Sequence, residues 1–444
     1  MTNNTYCKSL PVVENCDVLV IGSGSAGSVA AIAAARTGTR TILLERLPFL
    51  GGISTAVLDT FYGFYTPGKL SKKVVGGIPD DVLAGLKRYG VMLERPNTYG
   101  AGTGVTYHPE YLKVVWEELI QQSGVRILLG AWVQDVVAGQ GRVQGAIVAT
   151  KLGLRRFDAG VIVDCSGDAD ICHFAGIGYE LAGQLEPAQT LTTTFKMVNV
   201  DIHRRRSIPK AEFHKLMAQA AESGKYALPR KEGSDHITPV DHMTATVLTR
   251  LPSCLGHGAD FVNATDPNLL SAAEIEGRRQ AIEYIRFLHD KVPGYEQAQL
   301  AAFSTQIGVR ETRRVYGDYR LTKDDVLCAR QFDDQIGLCG APIEDHHGGA
   351  DTVWLYLPEG RCVGIPYRTL LPKDAGNVLV AGRCFSATHD AHASVRSMAQ
   401  CMCMGQAAGT AAALAVKQHC LPRELRVAEL QDHLRKNGVI LEMS

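Results

Sequence analysis

The chain has 444 residues, 45% hydrophobic and 21% charged, enough for two packed domains or one elaborated one. Lys plus Arg equals Asp plus Glu at 46 each, so no net field draws in nucleic acid, anionic lipid or an acidic polymer. The twelve cysteines are scattered, with no CxxC pair and no metal-ligand spacing, and no apolar run reaches the roughly 18 residues of a membrane span. They read as reduced thiols. With a polar start from Met1 to Glu14, a cytoplasmic protein without a signal peptide is expected.

Cys16 to Ile21 is a short β-rich run that ends on Gly22-Ser23-Gly24-Ser25-Ala26-Gly27, and an Ala-rich helix follows to Arg36. Gly38 closes that helix, and Thr39 to Leu44 gives a second strand finishing on Glu45. The glycine-rich stretch from Gly51 to Gly104 reads mostly as loop, with one helix over Pro79–Tyr89. Helical spacing returns over Pro109–Ser123. Short strands are expected over Val125–Leu129, Trp132–Ala138, Val143–Thr150, Leu154–Asp158 and Val161–Asp164, the tight turn at Gly139–Arg142 making the middle pair a hairpin. From Gly178 to Gly364 the pattern loosens into a mixed segment with helices near Lys210–Ser223 and Ser271–Lys291, which reads as an insertion. Asn377 to Gly382 is again a buried parallel strand, and Ser394–Gln418 a helix of small residues.

The spacing Gly22-x-Gly24-x-x-Gly27 is weak by itself in a chain with 45 glycines. Its setting strengthens it: it follows a strand, opens a helix, and is followed by an acid at the end of the next strand, where a carboxylate accepts from ribose hydroxyls. Gly22 and Gly24 permit the turn and close approach to a pyrophosphate, and the helix N-terminus supplies amide donors. Three further segments have the small-residue character of ligand-facing backbone: Leu50-Gly51-Gly52-Ile53-Ser54-Thr55, Val161 to Asp168, and Val378 to Arg383.

At these four places the chain resembles the two-domain FAD-dependent oxidoreductases related in fold to glutathione reductase. More narrowly, it resembles a FAD-dependent oxidoreductase family through Gly51-Gly52-Ile53-Ser54-Thr55, Gly308-Val309-Arg310-Glu311-Thr312-Arg313-Arg314 and Gly382-Arg383-Cys384-Phe385-Ser386-Ala387-Thr388-His389. The resemblance runs from Cys16 to Lys417. It implies an α/β fold: a Rossmann-like FAD-binding domain, parallel sheet plus β-meander, with an inserted α+β substrate domain. The expected boundaries are 1–177 and 365–444 for the first and 178–364 for the second, with part of 56–104 sharing in the substrate pocket. It also implies FAD lying extended along Gly22, Ser23, Gly24, Ser25, Ala26 and Gly27, with adenosine near Glu45 and Arg46 and Val133 lining the adenine. Gly51, Gly52, Ser54, Thr55 and Asp168 would lie near the cofactor; Gly382, Arg383, Ser397 and Met398 would face the flavin. One departure from the family pattern, as read here, is Asp390-Ala391-His392-Ala393, where His392 stands in place of an apolar residue.

No second glycine fingerprint in a β-α-β setting is present, so a bound nicotinamide domain is not expected, and without a CxxxxC dithiol neither is disulfide reduction. The expected reaction is hydride transfer between a small organic metabolite (a CH–OH, CH–NH or CH–CH donor) and flavin N5, by a dehydrogenase or oxidase. The alternatives are a redox-neutral flavin-dependent lyase or isomerase and an electron-transfer subunit. His389 and His392 are the candidates for proton transfer, the other reading being that one of them bonds the flavin or a loop carbonyl. Arg310 is expected to bind a substrate carboxylate or polarise an oxygen; interdomain ion pairs with Glu311 are the alternative for that cluster. His236, Asp241 and His242, and Asp345-His346-His347 beside Gly348-Gly349, read as exposed loops. No metal site is demanded. Neither nucleic acid nor membrane is an expected partner, and a homo-oligomer is possible.

Overall fold

The computed structural model describes residues 10, 12–68, 71–96, 102–256, 261–347 and 352–443; Cys7 and Gly348-Gly349 lie outside them. The strand β1 (Val12–Ile21) runs parallel to β2 (Thr41–Glu45) on one side and to the strand Gly153–Asp164 on the other. Arg126–Leu129 extends this parallel sheet beyond β2, and Val378–Val380 joins it alongside Ile162–Asp164. The helix α1 (Ser25–Arg36) links β1 to β2. Alternation along β1 sorts side chains between two layers, as period-2 geometry requires. Val18 and Val20 face a core built with α1 and the long helix Met398–Gln418, whereas Leu19 and Ile21 face the β-meander of Trp132–Gly139 and Arg142–Thr150.

The two short strands expected over Leu154–Asp158 and Val161–Asp164 are one strand, Gly153–Asp164. Its first half pairs with the meander and its last residues pair with Val378–Val380, while β1 runs beside it from Arg156 to Asp164, across the junction. With a continuous neighbour on one side, Gly160 does not interrupt it. Conversely, the helix expected over Ser394–Gln418 is two helices, His389–Val395 and Met398–Gln418. Ser397 between them is extended, with ψ 146°, which re-aims the second helix.

Within 178–364, two modes of packing occur. Phe195–Val198, Ser234–Ile237, Thr244–Val247 and Gln299–Phe303 form a four-stranded antiparallel sheet backed by the helices Lys210–Glu222 and Pro267–Lys291, with a core of its own. Leu321 and the strands Gln335–Cys339 and Val363–Pro366 instead pack into the larger core with α1 and Met398–Gln418. From the 56–104 segment, Thr60–Phe61, Met92–Pro96 and Thr103–Tyr107 form a small sheet that brings Asp59, Tyr62 and Arg95 toward the inserted strands. Among the described residues, no helix is long and apolar enough to cross a membrane.

The helices α1 and Met398–Gln418 meet backbone to backbone. A Cβ on Gly405 or Gly409 would sit 2.1 Å from the carbonyl oxygen of Ala26 or Ala30. Both partners are backbone, so a side chain there forces the helices apart. Gly409→Ala is therefore expected to destabilise the fold by about 1–3 kcal/mol, read as a lowered urea midpoint with an unchanged slope.

Candidate active site

The carboxyl ends of β2, β1, Gly153–Asp164 and Val378–Val380 succeed one another along one edge of the parallel sheet, the usual ligand edge of such a sheet. A cavity of about 830 Å³ lies along that edge. At the β1 end, Gly22 adopts φ +86°, and a Cβ on Gly27 would sit 1.8 Å from the Gly22 carbonyl oxygen, so the turn and the start of α1 close only on glycine. A Cβ at Gly24 would meet nothing within 4 Å, which leaves space open beside the first amides of α1. Glu45 is buried and fixed: Ser23 donates to its Oε2 from the backbone N at 2.8 Å and from Oγ at 2.7 Å, and the Leu47 amide donates to Oε1 at 2.8 Å. Arg46, over the half-exposed Trp132 ring at 5.6 Å, and Val133 complete this end.

At the other end, Arg383 donates to Asp168 Oδ1 at 2.7 Å and to the Val309 carbonyl at 3.0 Å. Thr312 Oγ1 donates to the same Asp168 oxygen at 2.7 Å. These bonds join the strand end at 164–168, the 308–314 segment and the 382–383 turn into one wall. Gly382, Arg383, Ser397 and Met398 line it, with the N-terminus of Met398–Gln418 opening onto the cavity.

Of the predicted cofactor residues, Gly22, Gly24, Ser25, Ala26, Glu45, Arg46, Gly52, Val133, Asp168, Gly382, Arg383, Ser397 and Met398 line the cavity. Ser23, Gly27, Gly51, Ser54 and Thr55 stand behind it as supports, the Ser54 and Thr55 hydroxyls donating to the carbonyls of Gly51 and Leu50 at 2.7 and 2.6 Å. Arg310 reaches the cavity. His389 and His392 are not among the residues that line it. Both ring nitrogens of His389 face carboxylates, Nδ1 at 3.1 Å from Glu311 and Nε2 at 3.0 Å from Asp345. Burial alone would lower its pKa, but the bonds to Asp345 and Glu311 outweigh this and carry it up to about 10. His392, fully buried, bonds the Arg383 carbonyl through Nε2 at 2.7 Å, and burial holds its pKa well below the ordinary value. A neutral imidazole donating to that carbonyl positions the 382–383 turn.

The cavity continues past the sheet edge into a polar chamber where the inserted strands meet the 56–104 segment. His236, far from an exposed loop, has a side chain 9% exposed on Ser234–Ile237, with Nε2 2.8 Å from Asp59 Oδ1. Burial would raise the Asp59 carboxyl; pairing with His236, and then Lys196 and Arg95, outweighs it and holds the group below its ordinary value. His346 is also buried, 3.0 Å from Glu344. Arg230 and Arg396 join Arg310 in the chamber wall. The residues missed by sequence reasoning, Asp59, Arg230, Glu344 and Arg396, carry no local spacing signal, since each comes from a different segment.

The donor set fits an extended dinucleotide, with a helix N-terminus open at Gly24 for a pyrophosphate and a fixed carboxylate one strand away for a ribose. The family described as FAD dependent oxidoreductase matches residues 17–434. A digeranylgeranylglycerophospholipid reductase from Thermoplasma volcanium is 23% identical over 203 residues, 43% of this chain and 48% of that protein, so the chain spans about half the length of this curated relative. Among solved structures, a geranylgeranyl bacteriochlorophyll reductase-like protein from Thermoplasma acidophilum is similar at TM-score 0.47 and 12% identity, over 96% of this chain and 84% of that one. The anhydrotetracycline hydroxylase OxyS from Streptomyces rimosus gives TM-score 0.49 and 10% identity, over 95% of this chain and 66% of that one.

The His389 cluster generates a pH test. A folded pKa of about 10 lies above the free imidazole value, so this contribution to stability is complete below about pH 6.5 and disappears as pH rises toward 10. His389→Asn is expected to lower stability by about 3 kcal/mol at pH 6, and the gap to the unaltered protein should narrow steadily in melts run up to pH 10.

Proposed function

The chain belongs to the FAD-dependent oxidoreductase family, and on that premise we propose that it transfers a hydride between a small organic metabolite bound in the polar chamber and flavin N5. The observation that supports this most directly is the continuity of one cavity from Glu45 and the start of α1 to the buried His236–Asp59 pair. Bound FAD supplies a two-electron acceptor for a hydride at N5. The chain's own residues must then hold the cofactor, exclude bulk water and take up the proton that leaves with the hydride.

The first of these tasks falls to the amides at the start of α1, to Glu45, and to the Asp168–Arg383 wall. The proton falls to His236. With Nε2–H donated to the Asp59 carboxylate, Nδ1 carries the lone pair, and no group among the described residues bonds it. Asp59 fixes that tautomer and stabilises the imidazolium that forms. His389, held between Glu311 and Asp345, has no free nitrogen for this task, and His392 spends its proton on the Arg383 carbonyl. Both act as positioning residues.

The test is anaerobic mixing of the FAD-loaded protein with a metabolite library, read as bleaching of the flavin band; a protein that takes up no FAD, or is bleached by no metabolite, overturns the proposal. With a bleaching substrate in hand, His236→Asn is expected to slow single-turnover bleaching roughly 10²- to 10⁴-fold with FAD content unchanged. Asp59→Asn should slow it as well, through loss of the tautomer. An unchanged rate in both variants would remove the pair from the mechanism.

A further inference from the structure

Two sets of buried and half-buried arginines differ in how they are paired. Arg205, Arg313, Arg314 and Arg383 each meet a carboxylate: Asp235 at 2.6 Å, Asp170 at 3.1 Å, Glu311 at 2.7 Å and Asp168 at 2.7 Å. Arg230, Arg310 and Arg396 meet none within 4.0 Å among the described residues. Their protein partners are neutral acceptors: the Val247 carbonyl for Arg230 at 3.2 Å, the Thr190 carbonyl for Arg310, and the Gln189 side-chain oxygen for Arg396 at 2.7 Å. The Nε atoms of Arg230 and Arg396, like those of Arg313 and Arg314, are buried without a hydrogen-bond partner among the described residues. Burial, and then the nearby charges of Arg396 and Arg230, push the Arg310 guanidinium well below its ordinary value. Of the carboxylates lining the cavity, Asp59, Asp168, Asp170 and Asp235 are engaged by His236, Arg383, Arg313 and Arg205, whereas Glu344, 3.0 Å from His346, offsets one of the three charges.

Buried cations without a counter-charge cost several kcal/mol each, and a wall of them persists where an anion completes it. The place of these residues indicates which anion. Arg396 directly precedes Ser397 and Met398 at the flavin end of the cavity, and Arg310 follows Val309, whose carbonyl holds Arg383. Arg230 is bonded to Val247, the residue paired with Ser234 on the strand that carries His236. The pyrophosphate of the cofactor has its own site at Gly22–Gly27, so the arginine trio faces the space between the flavin end and the proton acceptor.

Resting on the hydride-transfer reading above, we propose that the metabolite is a carboxylate anion, held by Arg230, Arg310 and Arg396 with its hydride-donating carbon beside the carboxylate, as in a 2-hydroxy or 2-amino acid. Planar guanidinium forks match a carboxylate edge to edge, and pairing on one side of the molecule fixes the adjacent C–H and O–H or N–H against flavin and His236. The step balances: the C–H bond breaks with its electron pair passing as hydride to oxidised flavin, the O–H or N–H proton passes to His236 Nδ1, and a C=O or C=N bond forms. Two electrons leave the substrate and reside on the flavin.

Binding and turnover are read separately on the FAD-loaded protein. Small carboxylates with an adjacent hydroxyl (lactate, malate, mandelate) are titrated beside their uncharged amides and beside inorganic phosphate, with alanine as the amino-acid counterpart, following the perturbation of the oxidised flavin spectrum under anaerobic conditions. At least one carboxylate is expected to bind saturably while its amide and phosphate do not. Arg310→Gln and Arg396→Gln are expected to weaken that binding roughly 10- to 100-fold, and Arg310→Lys, which keeps the charge, to weaken it less; FAD content and melting temperature report that each variant is folded. Equal binding of acid and amide, tighter binding of phosphate, binding indifferent to the variants, or binding by no carboxylate overturns the proposal. Bleaching by an uncharged donor would overturn it while leaving hydride transfer intact, and carboxylate binding without bleaching by any metabolite would do the reverse.

Discussion

The Glu311 carboxylate is 1% exposed and takes donors from three separate parts of the chain: the Gln189 amide at 2.7 Å, Arg314 Nη1 at 2.7 Å and His389 Nδ1 at 3.1 Å. Burial would push this carboxyl up, but the bond to His389 and the charges of His389 and Arg314 outweigh it and bring it to about 2, so it is an anion inside the protein. A buried anion needs this number of donors, and satisfying it ties the start of the inserted segment, the 308–314 segment and the helix His389–Val395 together. The cavity wall is built on that tie. Arg314 extends it to Glu180, which also holds Arg320, and Thr312 and Arg313 carry it to Asp168 and Asp170.

This arrangement divides one short motif between structure and chemistry. In Gly308–Arg314, Glu311, Arg313 and Arg314 are consumed by ion pairs, and Arg310 alone points away from them into the chamber. The ion-pair reading open from the sequence thus holds for Glu311, Arg313 and Arg314, while Arg310 lines the cavity with the Thr190 carbonyl as its partner. The same division runs through the histidines. His389 and His392 close on the protein's own carboxylates and carbonyls, whereas His236 and Asp59 pair at the cavity surface. A buried imidazole with both nitrogens engaged, as in His389, or with its open nitrogen sealed away from the cavity, as in His392, stabilises a fold; one with an open nitrogen at a cavity can move a proton.

The chamber charge is the complement of this economy. Where the fold has carboxylates to spare, they sit against arginines that hold segments together. Along the chamber, Asp59 is taken up by His236 and Glu344 stands beside three guanidiniums, and the imbalance lies where Ser397 and Met398 approach the inserted strands. The Asp168–Arg383 wall and the chamber thus differ mainly in how completely charge is paired.

The local part of this was legible in the chain itself. Glycine spacing after a strand, an acid at the end of the next, and small residues at 165–168 and 382–383 marked the dinucleotide edge, because each depends on backbone geometry within a few residues of itself. The α/β class, β1, α1, β2 and the helix at Pro109–Gln122 followed from periodicity and stop signals of the same short range. The break at Ser397, the joining of two expected strands into Gly153–Asp164, the packing of Leu321 and Val363–Pro366 with the first domain, and above all the meeting of Asp59 with His236 were decided by tertiary structure. Asp59 and His236 are 177 residues apart, and nothing in either neighbourhood names the other. A side chain's chemistry depends on whether its polar atoms are already satisfied, and that is settled only when distant segments pack.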